Sequence, residues 1–361
     1  LGADVVKVER PPDGDPVRRL IPGFFQAVNR NKRSVAIDLK APEATPFVDG
    51  LLGWAEVVIE GFRPGVAERL GIGPTRVAES HPDVVYCSIS GYGQNGPARN
   101  RPGHDLNYLS IAGALVPPPE GESFQPSSLL PAADIIAGSL ATTTILGCVM
   151  RARATGQGSV IDFSIADAVA LAMAAHLNES AERGHPGATT LASRPGEGVY
   201  RAADGLLLSV SATEDVFWER LCDVLHVPQD ERGASRRVDR LEFSHELEQM
   251  LRDRFLTRER EEWLERLLEA DVPAAPVNDL SEVVAEPVFA ERGVVRRATS
   301  PDEGGTRIDV AFPARINGTR PGLDRPPPDV GEHTDEVMRL VGLVEGQRRR
   351  LVESGAVLSR P

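Results

Sequence analysis

The 361-residue sequence has little cysteine, few aromatic residues and no long apolar run. Its three cysteines, Cys87, Cys148 and Cys222, stand far apart in apolar stretches. This spacing is typical of reduced core thiols and excludes a disulfide framework or a cysteine-rich zinc site. No stretch reaches the roughly 18 uninterrupted apolar residues of a membrane span, and no signal-peptide pattern opens the chain. We therefore expect a soluble, cytoplasmic protein with no membrane partner.

Positive charge is also scarce, since 40 Lys and Arg stand against 53 Asp and Glu, for a net charge of −13. This balance argues against nucleic acid as a partner. An anionic ligand would have to meet a local basic patch. Basic residues do concentrate in the first hundred positions, and any single one is equally compatible with a solvated surface. They are Arg10, Arg18, Arg19, Arg30, Lys32, Arg33, Arg63 and Arg69.

Short β-branched runs alternate with helical patterns over about the first 170 residues. The runs are ADVVKVE, RSVAIDL, AEVVIEG and PDVVYCSIS. Such alternation predicts a parallel α/β sheet of doubly wound type, with ligands at the carboxyl ends of its strands. Because the first run follows a glycine at the very start, we expect a further segment upstream. The stretch Asp134 to Ala152 has few charges and predicts a buried helix.

The length of the chain favours two domains. A polar stretch rich in Gly, His and Pro at residues 181–195 predicts a linker after a large domain of residues 1–180. Beyond it, VYRAADGLLLSVSA predicts a hairpin, and charged helical patterns follow. Residues 196–300 are therefore expected to form a smaller α+β domain. Residues 301–361 are rich in Pro and Arg and then contain a capped helix at HTDEVMRL.

The segment Gly91 to Gly96, GYGQNG, satisfies the G-x-G-x-x-G pattern directly after a predicted strand. A dinucleotide-binding turn has to open a helix, whereas here Pro97 and ARNRPG continue the loop. The context therefore argues against nicotinamide binding. The glycines still allow a close approach of the backbone, which we expect to lie over a ligand.

Two titratable residues in apolar or glycine-rich surroundings are candidates for chemistry. His104 lies in RPGHDLNY, where an imidazole can be structural, exposed or catalytic. Asp134 lies in LLPAADIIAGS, between apolar or small neighbours, so burial is expected to raise its pKa. The alternative is that Asp134 caps the start of the following helix, and the two roles are compatible.

Several blocks of the sequence resemble, in order, the class III CoA-transferase superfamily. They are GADVVKVERP, NRNKRSVAIDLK, EGFRPGVAERLGI, SISGYGQNGP, GHDLNY, LLPAADIIAG, ATGQGSVIDFSIADA, GVYRAADG and GEHTDEVMRLVGL. The resemblance implies a Rossmann-like large domain built from both chain ends, so that residues 301–361 return to it. It also implies a smaller α+β domain inserted between these ends and an interlocked homodimer.

Within this superfamily the residue at position 104 separates two branches. This chain resembles the branch of α-methylacyl-CoA racemase, which carries G-H-D-[IL]-N-Y. Transferases resemble one another in having an aromatic residue at the position of the histidine. The resemblance implies an acyl-CoA racemase that uses His104 and Asp134 as opposed acid and base. The backbone N–H of Asp134 is then a candidate donor to the enolate oxygen.

Two alternatives stay open. In the first, a CoA transferase moves CoA between carboxylic acids through an acyl intermediate on Asp134. In the second, the protein binds CoA without catalysis.

The same resemblance assigns four residues to the CoA moiety of the acyl-CoA substrate. It implies Arg10 at the phosphate end, Leu39 and Phe62 beside the adenine, and Arg69 at the phosphates. No metal and no cofactor beyond the CoA moiety of the substrate are expected.

Overall fold

The structure, a computed structural model, describes residues 2–115, 129–183, 194–228, 243–299, 306–322 and 325–360. The chain divides into two compact units, of which unit 1 comprises residues 1–183 and 314–361, and unit 2 comprises residues 184–313. Unit 2 runs past residue 300, where we expected the small domain to end. The reason is an antiparallel pair that joins Val295–Thr299 to Thr306–Val310.

The strands and helices follow in chain order. The strands are β1 (Val6–Glu9), β2 (Arg33–Ile37), β3 (Val57–Glu60), β4 (Val85–Ser90), β5 (Ser159–Ser164), β6 (Glu197–Arg201), β7 (Leu207–Ser211), β8 (Ala274–Pro276), β9 (Val295–Thr299), β10 (Thr306–Val310) and β11 (Val357–Leu358). The helices of unit 1 are α1 (Val17–Leu20), α2 (Pro22–Val28), α3 (Thr45–Trp54), α4 (Val66–Arg69), α5 (Pro74–Ser80), α6 (Asp105–Ile111), α7 (Ala132–Thr155), α8 (Ile165–Ala172) and α9 (Ala174–Arg183), followed after unit 2 by α15 (Thr334–Leu340) and α16 (Glu345–Glu353). Those of unit 2 are α10 (Asp215–Leu225), α11 (Ser244–Phe255), α12 (Arg260–Glu269), α13 (Leu280–Val283) and α14 (Pro287–Arg292).

Unit 1 has the predicted mixed α/β architecture, and each of the four β-branched runs forms a strand. Its described strands form two three-stranded sheets instead of one continuous sheet. In one, β1 pairs in parallel with β2, and β11 adds antiparallel to β2. In the other, β3, β4 and β5 are all parallel. One hydrophobic core joins them, because Val35 of β2 and Tyr86 of β4 are buried in the same cluster as Met338 of α15.

The C-terminal segment is held in unit 1 by a buried threonine. Thr334 is fully buried, and its hydroxyl accepts a hydrogen bond from the Ala36 N–H at 3.2 Å. The same hydroxyl donates to the Leu358 carbonyl oxygen at 2.7 Å. One side chain therefore ties the start of α15 to both β2 and β11.

Helix α7 is less buried than its composition led us to expect. Its buried residues form one stripe, which is Ala133, Ala137, Ala141, Ile145 and Ala152. The helix packs on β4, β5 and α8 through this side, while Leu146 and Met150 are exposed in the single chain. Small residues all around the helix hide which side faces the sheet, so its sequence shows no clear period. Among the described residues it is the one helix long and apolar enough to cross a membrane.

Unit 2 contains the predicted hairpin, in which β6 pairs antiparallel with β7, and β8 pairs antiparallel with β7. Aromatic residues pack against one another in its core. Tyr200 stacks on Phe255 with ring centroids 4.6 Å apart, and Phe255 meets Trp263 edge-on at 5.5 Å. Cys222 and Trp218 are buried in the same cluster, as expected of a core thiol.

Replacing Thr334 with valine tests the link between the C-terminal segment and β2. Valine has a similar shape but removes both hydrogen bonds, so the local stability should fall by about 1–3 kcal/mol. Hydrogen exchange at residues 33–37 should therefore become faster. The control is Thr334→Ser, which keeps the hydroxyl and should exchange like the wild type. Equal exchange rates in the valine variant and the wild type would contradict the role of this side chain.

Candidate active site

His104 stands at the junction between a glycine-rich loop and a short helix. The loop follows β4, and His104 is the N-cap of α6 with extended backbone angles. Its N–H donates to the Asn107 side-chain oxygen at 3.0 Å, and its carbonyl accepts from the Asn107 N–H at 2.8 Å. This reciprocal arrangement explains the asparagine three positions after the histidine. The cap fixes the backbone of His104 and leaves the residue exposed.

Asp134 is the third residue of α7 and does not cap it. The N-cap is Pro131, so the expectation that Asp134 caps the helix is wrong. A carboxylate in the first turn still interacts favourably with the helix dipole. The backbone N–H of Asp134 donates to Asp105 Oδ1 at 3.1 Å. This amide therefore already has an acceptor, which corrects its assignment as a free donor to an enolate oxygen.

The structure brings His104, Asp105 and Asp134 into one region of unit 1, because the Asp134 N–H donates to the Asp105 carboxylate next to His104. Burial raises the pKa of Asp134, and the negative charge of Asp105 raises it further, whereas His104 lowers it. The direction agrees with the expectation from the apolar neighbours of Asp134. The residue as a whole is exposed in the single chain, so the raised pKa reflects partial burial of its carboxyl group. His104 and Asp134, the two predicted catalytic residues, are therefore both exposed to solvent in the same region of unit 1.

Sequence reasoning missed Asp105, although it lies in the same GHDLNY motif as His104. Its carboxylate contacts the amide of Asp134 and shifts the pKa of that side chain. The signal was available as an acidic residue at the first position of a helix. Its importance depends on a partner 29 positions away, which the local pattern does not reveal.

The glycine-rich loop is a fixed connection. No helix begins between β4 and α6, so the context required for a dinucleotide turn is absent from this described stretch. The Gln94 N–H donates to Asp162 Oδ1 at 2.9 Å, and the Gly91 carbonyl accepts from the Ala166 N–H at 3.1 Å. A Cβ on Gly91 would lie 2.6 Å from the Tyr108 hydroxyl oxygen. At Gly91 the close approach is therefore to a protein side chain.

The four residues assigned to CoA lie at or after strand ends in unit 1. Arg10 directly follows β1, Leu39 lies two residues after β2, and Phe62 lies two residues after β3. Arg69 ends the short helix α4 that comes next. Leu39 is partly buried against the core, whereas Phe62 is exposed. Among the described residues no hydrogen bond or ion pair joins these four side chains to one another, and Arg10 and Arg69 have no acidic partner.

Two other basic residues of the same region have structural partners. The Arg18 guanidinium makes a bidentate pair of hydrogen bonds to the Glu9 carboxylate, at 3.1 and 2.7 Å, and lies over the Phe25 ring. The Arg33 side chain is buried and pairs with Asp4 and Glu336. These contacts support the fold, so neither arginine is free to meet a phosphate. The basic residues of this region therefore include structural ones, Arg18 and Arg33, and exposed ones, Arg10 and Arg69.

A metal centre is not evident in the described part of the chain, which holds no group of three or more His, Cys, Asp or Glu side chains placed to bind an ion.

Comparison with known proteins covers nearly the whole chain. The model of CoA-transferase family III matches residues 1–334. Human succinyl-CoA:glutarate CoA-transferase is 29% identical, with 94% of this chain and 80% of that protein aligned. Human alpha-methylacyl-CoA racemase is 31% identical, with 95% of this chain and 87% of that protein aligned. Further relatives are also named CoA-transferases.

Solved structures agree with the family comparison. A CAIB/BAIF family protein from Brucella suis superimposes with a TM-score of 0.80 at 26% identity, over 94% of this chain and 92% of that one.

Replacing Asp105 or His104 should move the pKa of Asp134 in opposite directions. Asp105→Asn keeps an oxygen acceptor for the Asp134 N–H and removes the negative charge, so the pKa should fall. His104→Gln removes a group that lowers it, so the pKa should rise. Carbon-13 NMR titration of labelled aspartate, with the signal assigned through Asp134→Asn, measures both. Shifts of the same sign in both variants would contradict this geometry.

Proposed function

The chain belongs to CoA-transferase family III, and from that premise we propose that it is an acyl-CoA racemase of the α-methylacyl-CoA racemase type. Its substrate is a 2-methylacyl-CoA, and the reaction inverts the α carbon. The observation that carries the proposal is the hydrogen bond from the Asp134 N–H to the carboxylate of Asp105, the residue next to His104, because it joins the two candidate groups in one region. Racemisation needs two proton-transfer groups that reach one carbon from opposite faces.

The reaction proceeds through an enolate. One of the two groups takes the α proton, and the electron pair of the broken C–H bond moves toward the thioester oxygen. The other group then delivers a proton to the opposite face of the α carbon, and the C=O bond is restored. An imidazole can hold or release a proton near neutral pH, and the raised pKa of Asp134 favours its protonated form more than an ordinary aspartate. The pair can therefore work in both directions.

The enolate oxygen needs hydrogen-bond donors. The Asp134 N–H already has Asp105 as its acceptor. The first amides of a helix have no partner inside the helix, and those of Asp105 and Leu106 make no hydrogen bond among the described residues. They lie directly after His104 and are the donors that we assign to the enolate oxygen.

The CoA moiety is proposed to bind along the strand ends of unit 1. Arg10 and Arg69 are exposed cations with no acidic partner among the described residues, which suits phosphate binding. Exposed Phe62 and partly buried Leu39 offer apolar surface for an adenine ring. No cofactor beyond this moiety of the substrate enters the proposal.

An interlocked homodimer also belongs to the proposal. It is supported by the exposed apolar side of α7, which carries Ile135, Leu146 and Met150. Apolar surface of this kind favours association with another chain.

The second candidate function is a CoA transferase that uses Asp134 as nucleophile. It is favoured by the relatives that carry the name CoA-transferase. Exposure of Asp134 suits attack on a thioester, but His104 has no step in this scheme.

Incubation of each α-carbon epimer (each hand) of a 2-methylacyl-CoA in heavy water tests the racemase proposal. The wild type should place one deuterium on the α carbon and interconvert the two hands, as mass spectrometry and chiral separation would show. His104→Gln and Asp134→Asn should each slow the interconversion of the two hands by roughly 10²–10⁴-fold. His81→Gln is the control, because His81 lies at the end of α5 and outside the candidate site.

Other outcomes separate the remaining functions. Interconversion of the two hands that survives His104→Gln would contradict the racemase. CoA exchange between carboxylic acids, with an acyl group trapped on Asp134 and no need for His104, would instead establish the transferase. CoA binding without either reaction would leave a catalytically silent protein.

Replacing Arg10 or Arg69 with methionine tests the proposed phosphate contacts. Each change removes a charge-assisted hydrogen bond, so the Kd for CoA should rise about tenfold and depend less on salt. Titration calorimetry measures both effects. Arg153→Met is the matched control, because Arg153 is an exposed arginine already paired with Glu56 at 3.0 Å. An unchanged Kd in both site variants would refute the assignment of these two arginines.

A further inference from the structure

Tyr108 is a buried aromatic residue directly beneath the loop that carries His104. Its side chain is 6% exposed, and its hydroxyl donates to the Gly103 carbonyl oxygen at 2.8 Å. A Cβ on Gly103 would lie 2.8 Å from Tyr108 Cε1, and one on Gly91 would lie 2.6 Å from the hydroxyl oxygen. The ring is thus held between two stretches of backbone that leave no room for a side chain.

The same ring also faces the start of α7. Tyr108 shares a small core cluster with Ala133 and Val169, and Ala133 immediately precedes Asp134. Burial raises the pKa of Tyr108, and the neighbouring Tyr92 and the charge of Asp134 raise it further. Tyr92 meets the Tyr108 ring edge-on at 5.4 Å. Tyr108 therefore contacts the loop before His104 and packs in the cluster that contains the residue before Asp134.

We propose that Tyr108 is a positioning residue that sets the separation between His104 and Asp134. The inference rests on the proposed racemase function, in which both groups have to flank one carbon atom. Proton transfer requires donor and acceptor atoms within hydrogen-bond reach, so a shift of a fraction of an ångström in either group slows it. The hydroxyl fixes the Gly103 carbonyl one residue before His104, and the ring packs in the cluster that contains Ala133, one residue before Asp134.

Tyr108→Phe removes the hydroxyl and keeps the ring. The kcat for proton exchange should fall roughly three- to tenfold, which is the worth of one hydrogen bond. The fall should be similar for both hands of the substrate, because the separation affects both proton transfers, and KM should not change. Tyr92→Phe is the matched control, since the Tyr92 hydroxyl makes no hydrogen bond among the described residues.

Gly103→Ala tests the same link from the other side. Its Cβ would push against the Tyr108 ring, so this variant should lose kcat for both hands at least as strongly. Thermal unfolding of both variants at temperatures near those of Tyr92→Phe would exclude a folding defect. A fall confined to one hand of the substrate, or a change in KM alone, would overturn the proposal.

An NMR measurement without substrate separates this inference from the proposed function. The imidazole signals of His104, assigned through His104→Gln, should shift in Tyr108→Phe and stay in place in Tyr92→Phe. If the His104 signals do not move in Tyr108→Phe and its kcat equals that of the wild type, the positioning role is overturned and the racemase proposal still stands. If the His104 signals shift in Tyr108→Phe but the wild type exchanges no α proton, the positioning role is supported and the racemase is refuted.

Discussion

A hydrogen bond between the starts of two helices holds the candidate site together. The Asp105 carboxylate, at the first position of α6, accepts the N–H of Asp134 at the third position of α7. This contact joins the His104 loop to the helix that carries the second candidate group. The same carboxylate raises the pKa of Asp134, so one side chain both places its partner and tunes its protonation. The negative charge of Asp105 is thus part of the chemistry that we propose.

The sheet of β3, β4 and β5 supplies the rigid support for this contact. Strand β4 leads into the glycine-rich loop, and β5 contributes Asp162, which accepts the Gln94 N–H of that loop. Ser164, the last residue of β5, caps α8 by accepting the Asp167 N–H, and Val169 of this helix packs in the cluster with Tyr108. The loop before His104 is therefore anchored to elements on either side of it. Rigid support of this kind is what a site with two opposed proton-transfer groups requires.

The sequence was sufficient to predict the parts of the fold that depend on local pattern. The β-branched runs form strands as predicted because their apolar faces are buried in the cores. The burial of α7 was not predictable in the same way, since a helix of small residues does not reveal its inner face. The prediction that Asp134 is the N-cap of that helix was also wrong, because Pro131 occupies the N-cap position. The end of the small unit was placed too early because the pairing of β9 with β10 spans residue 300.

The candidate site was predictable only in part, and for a similar reason. His104 and Asp134 stood out through their neighbours in the sequence and through the family resemblance. Asp105 and Tyr108 did not, because Asp105 bonds to Asp134 and Tyr108 packs in a cluster with Ala133, and both partners are distant along the chain. The glycines carried a usable signal, since Gly91 and Gly103 indicate a close approach of the backbone. What the sequence could not identify was the residue that they approach.

The most direct test of the account is a crystal structure with a bound 2,2-dimethylacyl-CoA, which has no α proton to lose. If His104 and Asp134 are the two proton-transfer groups, the α carbon will lie between the His104 imidazole and the Asp134 carboxyl group, each about 3–4 Å away on opposite faces. Both groups on one face of that carbon, or His104 in a different cavity, would contradict it.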